Sequence, residues 1–283
     1  MTYAYESQIY LGEVALNVRN LDLQTAFYQQ ILGLEILEQT DQQVLLGAGQ
    51  EPLVRLLATG DTSIVKESYG LYHMALLLPS RQALADVFKH LAELGIPLVG
   101  GADHGYSEAL YLEDPEGNGI ELYRDKPLSD WDIRENGRIV GVTEELAAQD
   151  IYELGRKQEP FVLAAETRMG HVHLSVPDSK AASLYYQKAL DLADKFSIPT
   201  GAWLASGNYH HHLAVNEWAG PHLLKRTSAQ VGLAYFVVKV ASKDQLARLA
   251  QSAQVAGASL RWLHSQAVQM TDENGLVVQV EVA

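Results

Sequence analysis

The sequence predicts an α+β fold: four βαβββ modules in tandem, forming two curved-sheet half-barrel domains. Three observations lead there. An apolar strand opened by glycine recurs four times, each copy runs into a stretch of helical spacing, and two copies end in an Asp- and Gly-rich turn ahead of a last strand.

Module one opens at Gly12-Glu13-Val14-Ala15-Leu16-Asn17-Val18, where Val14, Leu16 and Val18 alternate with period two. Its helical stretch passes through Ala26, Phe27, Tyr28 and Leu32 and stops at Gly33. Module three repeats this at Gly170-His171-Val172-His173-Leu174-Ser175-Val176, with Ala182, Tyr185, Tyr186 and Leu190 at the matching helical positions. Modules two and four begin at Gly70-Leu71-Tyr72-His73-Met74-Ala75-Leu76 and Gly232-Leu233-Ala234-Tyr235-Phe236-Val237-Val238, and Gly95 and Gly257 end their Leu- and Ala-rich helices. Their last strands follow the turns Asp114-Pro115-Glu116-Gly117-Asn118-Gly119-Ile120-Glu121 and Asp272-Glu273-Asn274-Gly275, the latter running on to Gln279. The predicted division is residues 1–126 for modules one and two, a polar connector over 127–167, and 168–283 for modules three and four. Within the connector, Glu144 to Arg156 has helical spacing.

Composition narrows the function. The net charge of −14 comes from scattered acids and argues against nucleic acid or an anionic membrane as partner. A small, neutral or metal-captured substrate fits better. The absence of cysteine removes disulfides, thiolate nucleophiles and thiolate ligands, so a transition metal would rest on His, Asp, Glu or Tyr. Met1 to Tyr10 has neither the basic nor the apolar segment of a signal peptide, and no window reaches the roughly 20 apolar residues of a membrane span. A cytoplasmic protein is expected, with a homodimer plausible from the edges such sheets expose.

The repeats permit a comparison within one chain. His73 has Tyr235 as its counterpart in module four, Glu121 has Gln279, and His171 has Glu13 in module one. A histidine inside an apolar strand is more often a satisfied core residue than a ligand. A glutamate in Gly-Ile-Glu-Leu-Tyr is harder to explain that way, because a buried carboxylate needs a cation or a strong donor. Together His73, Glu121 and His171 make two imidazoles and a carboxylate, the facial set that holds ferrous iron and leaves positions open. Tyr209-His210-His211-His212 runs into Leu213-Ala214-Val215; read as strand, His210 and His212 share one face and His211 the other, though a surface cluster is the plainer reading. His104 lies in a Gly-rich loop and Tyr111 on the strand feeding the turn before Glu121, with an exposed turn residue and a core tyrosine as their ordinary readings. Trp131, Trp203, Trp218 and Trp262 read as packing, although Trp203 and Trp218 bracket the histidines and could line a pocket. Neither a phosphate-binding loop nor a Gly-x-Ser-x-Gly elbow is present.

These residues resemble the vicinal oxygen chelate proteins, and among them the two-domain extradiol dioxygenases of catechol 2,3-dioxygenase type. The resemblance spans nearly the whole chain and is carried by Gly70 to His73, Ser107 to Tyr123 with its Asp-Pro-x-Gly-Asn turn, Met169 to Leu174, and Gly207 to His212. It implies a vicinal oxygen chelate fold, iron held by His73, Glu121 and His171, and an aromatic diol cleaved with dioxygen in aromatic breakdown. It further implies His211 as acid or base, Tyr111 bonding the substrate, and His104 beside them. Manganese, zinc or nickel would suit related chemistry. The chain departs from the usual pattern, which places the working pair of modules in the C-terminal half, since module four carries Tyr235 and Gln279. Either modules one and two pair, giving Glu13, His73 and Glu121, or modules two and three pair across the halves; the second supplies two histidines and one carboxylate and is preferred. Other activities within the resemblance are a glyoxalase-like metal-dependent isomerase or thiol transferase, and a drug-sequestering resistance protein.

Overall fold

A computed structural model describes residues 4–60, 68–220, 222–225, 227 and 229–283. The first three residues of the Met1–Tyr10 stretch therefore lie outside the described residues. Module one comprises β1 (Ile9–Val18), α1 (Leu21–Ala26), β2 (Glu35–Gln39), β3 (Gln43–Ala48) and β4 (Glu51–Ala58). Module two comprises β5 (Gly70–Leu77), α2 (Arg81–Glu93), β6 (Gly100–Asp103), β7 (Ser107–Glu113) and β8 (Gly119–Asp125). The connector holds β9 (Asp132–Ile133), β10 (Ile139–Val140), β11 (Glu144–Glu145) and α3 (Ala148–Leu154). Module three follows with β12 (Arg168–Ser175), α4 (Ser179–Ala189), β13 (Ala193–Ile198), β14 (Gly201–Ala205) and β15 (Leu213–Asn216). Module four has β16 (Gly232–Val240), α5 (Lys243–Val255), β17 (Ser259–His264), β18 (Ala267–Thr271) and β19 (Val277–Val282). No helix among the described residues is long and apolar enough to cross a membrane.

The two large sheets each take one module from each half of the chain. One runs β17-β18-β19-β16-β1-β4-β3-β2 and joins modules one and four; the other runs β11-β6-β7-β8-β5-β12-β15-β14-β13 and joins modules two and three. The pairing of modules one and two, left open by the sequence, is not the one formed. At each seam two first strands run antiparallel, β1 on β16 and β5 on β12, and each has a last strand of its own module parallel to its other side. Strand alternation then sorts side chains. Val14, Leu16, Met74, Leu76, Ile120, Leu122, Val172, Leu174, Phe236 and Val238 enter one continuous core, while their neighbours along each strand face away from it.

Local chemistry fixes the helix starts. Asn20, Ser80, Asp178 and Ser242 cap α1, α2, α4 and α5 by accepting from the backbone N–H three residues on. Each such cap contributes about 1 kcal/mol. The connector helix is shorter than its spacing predicts: α3 occupies only Ala148–Leu154, has no side-chain cap, and Glu144 and Glu145 instead pair with Asp103 and Ala102 of β6. An open strand edge beside the segment competes with helix formation there.

The two sheets are tied within each half of the chain by a second device. Tyr28 of module one donates to Asp114 of module two at 3.0 Å, and Tyr186 of module three donates to Asp272 of module four at 3.2 Å, the two pairs having the same sequence separation of 86. Both aspartates fold the turns that precede β8 and β19: Asp114 accepts from the N–H groups of Glu116 and Asn118, and Asp272 from those of Asn274 and Leu276. Gly117 completes the first turn with φ of 83°, a conformation side-chain-bearing residues rarely adopt.

Candidate metal centre

Three adjacent strands, β8, β5 and β12, each deliver one candidate ligand to the face opposite the core. The register shows how. Ala75 of β5 stands opposite Glu121 of β8 on one side and His171 of β12 on the other, and His73 lies one pleat away on the same face as Ala75. His73, Glu121 and His171 thus surround a methyl group, the smallest side chain that leaves room between them.

The contacts converge on one carboxylate oxygen. Glu121 Oε2 lies 3.0 Å from His73 Nε2 and 3.1 Å from His171 Nε2, and the two Nε2 atoms are 3.3 Å apart. All three side chains are buried, and their ligand atoms lie within 4.8 Å of one another. No lysine or arginine among the described residues pairs with Glu121. Burial works against ionisation of Glu121, but the imidazoles of His171 and His73 hold its carboxyl well below the usual range. Burial in turn pushes His171 down to about 4 against the pull of Glu121. An ionised buried carboxylate facing two imidazole Nε2 atoms is a donor set that fits a divalent transition metal.

The remaining sequence-predicted residues gather around this centre. His211 has its ring centroid 4.1 Å from that of His171. Tyr209–His212 is an irregular turn and not part of a strand, and its three histidines, 1%, 4% and 6% exposed, form no surface cluster. Their rings diverge: His210 reaches Asp125, His211 lines the metal-side cavity, and His212 lies against Ser7 at the seam between β1 and β12. His104, just past β6, places Nε2 2.7 Å from the Tyr111 hydroxyl and Nδ1 2.8 Å from the Val142 carbonyl. The carbonyl can only accept, so Nδ1 carries the proton and Tyr111 donates to Nε2. Burial, reinforced by the charge of Glu121, raises the Tyr111 hydroxyl far above its ordinary value and keeps it protonated.

The tautomer of His211 is fixed in the same way. Asp125 Oδ1 lies 2.9 Å from His210 Nε2, and His210 Nδ1 lies 2.7 Å from His211 Nδ1. The carboxylate accepts a hydrogen bond from His210 Nε2–H, so with His210 neutral its Nδ1 accepts and His211 Nδ1 donates. His211 Nε2 is left as a lone pair on the cavity side. Burial, then the neighbouring His171 and His210, holds His211 well below the usual histidine range and therefore neutral. Behind this relay, Tyr123 packs on His171 and meets the Tyr209 hydroxyl at 2.6 Å; a Cβ on Gly170 would collide with the Tyr123 hydroxyl, which accounts for glycine there.

Three participants lie outside the residues that the sequence singles out. His173 follows His171 by two residues and so shares its face, a signal that period two already contained. Its Nε2 accepts from Asn216 at 2.9 Å. Asp125 and Ala75 carry no motif and become visible only through pairing. Trp203 and Trp218 do line the cavity, whereas Trp131 is buried behind His210 and Trp262 is half exposed on β17.

The sister position in the other sheet is built in identical register. Ala15 faces Tyr235 as His173 faces His73, and Val237 faces Gln279 as Ala75 faces Glu121. There Arg55 Nε bonds Glu13 Oε1 at 2.5 Å, its Nη2 bonds Oε2 at 3.1 Å, and Tyr235 donates to Glu13 at 3.2 Å. Glu13 is thus engaged in a different sheet from His73 and Glu121.

A profile of the Glyoxalase/Bleomycin resistance protein/Dioxygenase superfamily matches residues 10–122. A protein of Bacillus subtilis named catechol-2,3-dioxygenase is 33% identical over 265 residues, covering 92% of both chains. Biphenyl-2,3-diol 1,2-dioxygenase 3 of Rhodococcus globerulus is 27% identical over 119 residues, 41% of this chain and 63% of that protein. Among solved structures, glyoxalase I of Zea mays superposes with a TM-score of 0.58 at 15% identity, covering 97% of this chain and 92% of that one. The chain belongs to the glyoxalase, bleomycin resistance and dioxygenase superfamily.

Proposed function

We propose that the protein is an extradiol ring-cleaving dioxygenase that opens a catechol-type aromatic diol with dioxygen at a non-haem ferrous iron held by His73, Glu121 and His171. The observation that carries this reading is the buried two-histidine, one-carboxylate set with the lone pair of His211 Nε2 presented to the same cavity. The name of the Bacillus subtilis relative supports it.

Ferrous iron held by His73, Glu121 and His171 would supply open coordination positions and would acidify a hydroxyl it polarises. The chain's own residues do the rest. His211 Nε2 accepts a proton from a substrate hydroxyl and returns it as the ring opens, while the Asp125–His210 relay keeps that nitrogen free. Tyr111, its own proton committed to His104, offers its oxygen to the second hydroxyl and orients the diol. Tyr72, Trp203 and Trp218 wall the cavity against bulk water. The glyoxalase-like alternative built on Glu13, His73 and Glu121 is not assembled by this fold.

Anaerobic reconstitution with ferrous iron, followed by catechol and oxygen, tests the reading through the yellow ring-opened product. Iron-loaded wild type should form it, and His211→Gln should keep its iron but lose roughly 10²–10⁴-fold in kcat. Failure of fully iron-loaded wild type on a panel of catechols would overturn the assignment.

A further inference from the structure

The cavity above the metal centre has a volume of about 600 Å³ and is chemically divided. Its polar end carries the three ligand residues with His211, Tyr111 and His104. A largely aromatic wall of Tyr72, His173, Phe196, Ile198, Trp203 and Trp218 runs on from His73, whose ring lies 5.3 Å from Tyr72 and 4.9 Å from His173. These rings contact one another. Tyr72 lies 5.0 Å from His173 and 5.4 Å from Trp218, His173 lies 5.4 Å from Trp218, and Phe196 lies 5.3 Å from Trp203. The wall is also held in place. Asn216, fully buried, bonds His173 with its amide nitrogen and accepts from the Trp218 N–H at 3.0 Å, and the Trp218 indole donates to Thr200 at 3.1 Å.

Size and charge say what such a wall accepts. A cavity of about 150 Å³ suffices for benzene, so an unsubstituted catechol would leave most of this space unfilled. Tyr72 and Trp218 are 44% and 47% exposed, large apolar surface turned to solvent at the mouth. Among the described residues the lining contains no lysine or arginine, and its only acids are Glu113 and Glu121. A carboxylate or phosphate on the substrate would meet no counter-charge and would face Glu113.

We infer that the enzyme selects uncharged catechols bearing an apolar or aromatic substituent, with Trp203 and Trp218 as the specificity-determining residues. This rests on the ring-cleaving assignment. Two measurements separate the two. The first compares kcat/KM of the iron-loaded enzyme for catechol, 2,3- and 3,4-dihydroxybiphenyl, 3,4-dihydroxybenzoate and dopamine. The second follows binding of the same diols to the metal-free protein, without oxygen, by quenching of tryptophan fluorescence.

At least one dihydroxybiphenyl should exceed catechol about tenfold or more in kcat/KM, the discrimination one buried apolar group typically provides. It should exceed the benzoate by more. Trp203→Ala and Trp218→Ala should reduce the biphenyl-to-catechol ratio several-fold, and Trp203→Phe should restore most of it. Ring opening with equal or better turnover of the benzoate or dopamine would overturn the selectivity and leave the ring-cleaving assignment standing. If no diol is opened, that assignment falls, and the binding series decides the wall's role. Binding of a dihydroxybiphenyl about tenfold tighter than the benzoate would uphold its selectivity, and equal binding would overturn it.

Discussion

Ala75 sets the dimensions of the metal centre, because Glu121 and His171 stand opposite it on either side and anything larger would enter the space between them. The sister position holds Val237, in a sheet that forms no metal set among the described residues. Ala75→Val should therefore lower iron affinity at least tenfold, measured by competition with a chelator, while costing less than about 1.5 kcal/mol in denaturant-derived stability. A variant that binds iron normally would show that the alanine is not what keeps the centre open. Residues at this scale were legible in the sequence where a repeat supplied its own control. His73, Glu121 and His171 differ from Tyr235, Gln279 and Glu13, and the fold brings the first three together. Asp125, Ala75 and Asn216 were not legible, since their roles come from a partner more than 40 residues away and not from a local pattern.

At the scale of elements, the Tyr–Asp pairs carry a specific share of the turn stability. Each aspartate is buried, which raises its pKa despite the bonds it accepts, so each tyrosine hydroxyl offsets part of a real desolvation cost. Tyr28→Phe and Tyr186→Phe should each cost about 1 kcal/mol, read from shifts of the urea midpoint at unchanged m-value. Their effects should add, because the two pairs share no partner. Element positions followed the sequence closely wherever period two or a helix-ending glycine was present, as at β1, β12 and the ends of α2 and α5 at Gly95 and Gly257. They departed where neither governs: Glu144–Glu145 joins a sheet edge, and Tyr209–His212 turns instead of extending.

At the scale of the molecule, the chain interleaves its halves. β1 and β5 find their seam partners in β16 and β12, so the fragments 1–126 and 168–283 each lack the strand that covers their central edges. Expressed alone, each should be aggregated or unfolded by circular dichroism and amide exchange, and co-expression should restore a soluble pair. Independent folding of 1–126 as a monomer would contradict this. The buried contact of His212 with Ser7 and Ser206 also carries a pH dependence. Burial, with the nearby His210 and Arg168 adding to it, pushes His212 from 6.5 down to about 3. Between those values the unfolded chain binds a proton that the folded one refuses, so stability rises with pH across that interval and levels off above it. Metal-free protein should lose midpoint stability as pH falls from 7 to 4, and His212→Gln should flatten that slope by about one proton's worth.

The two register-matched positions described above, one with Arg55 against Glu13 and one with His73, His171 and Glu121, differ in where their positive charge comes from. In the first sheet the cation is covalently part of the chain and present from synthesis onward, independent of what the solution contains. In the second it would be a solute, drawn from a pool whose concentration the surroundings set. A solute shared by β5, β8 and β12 is also a link between the two halves of the sequence, so its binding energy becomes folding energy. One sheet is thereby self-sufficient, and a metal held in the other would make this protein's integrity, as well as its turnover, depend on supply.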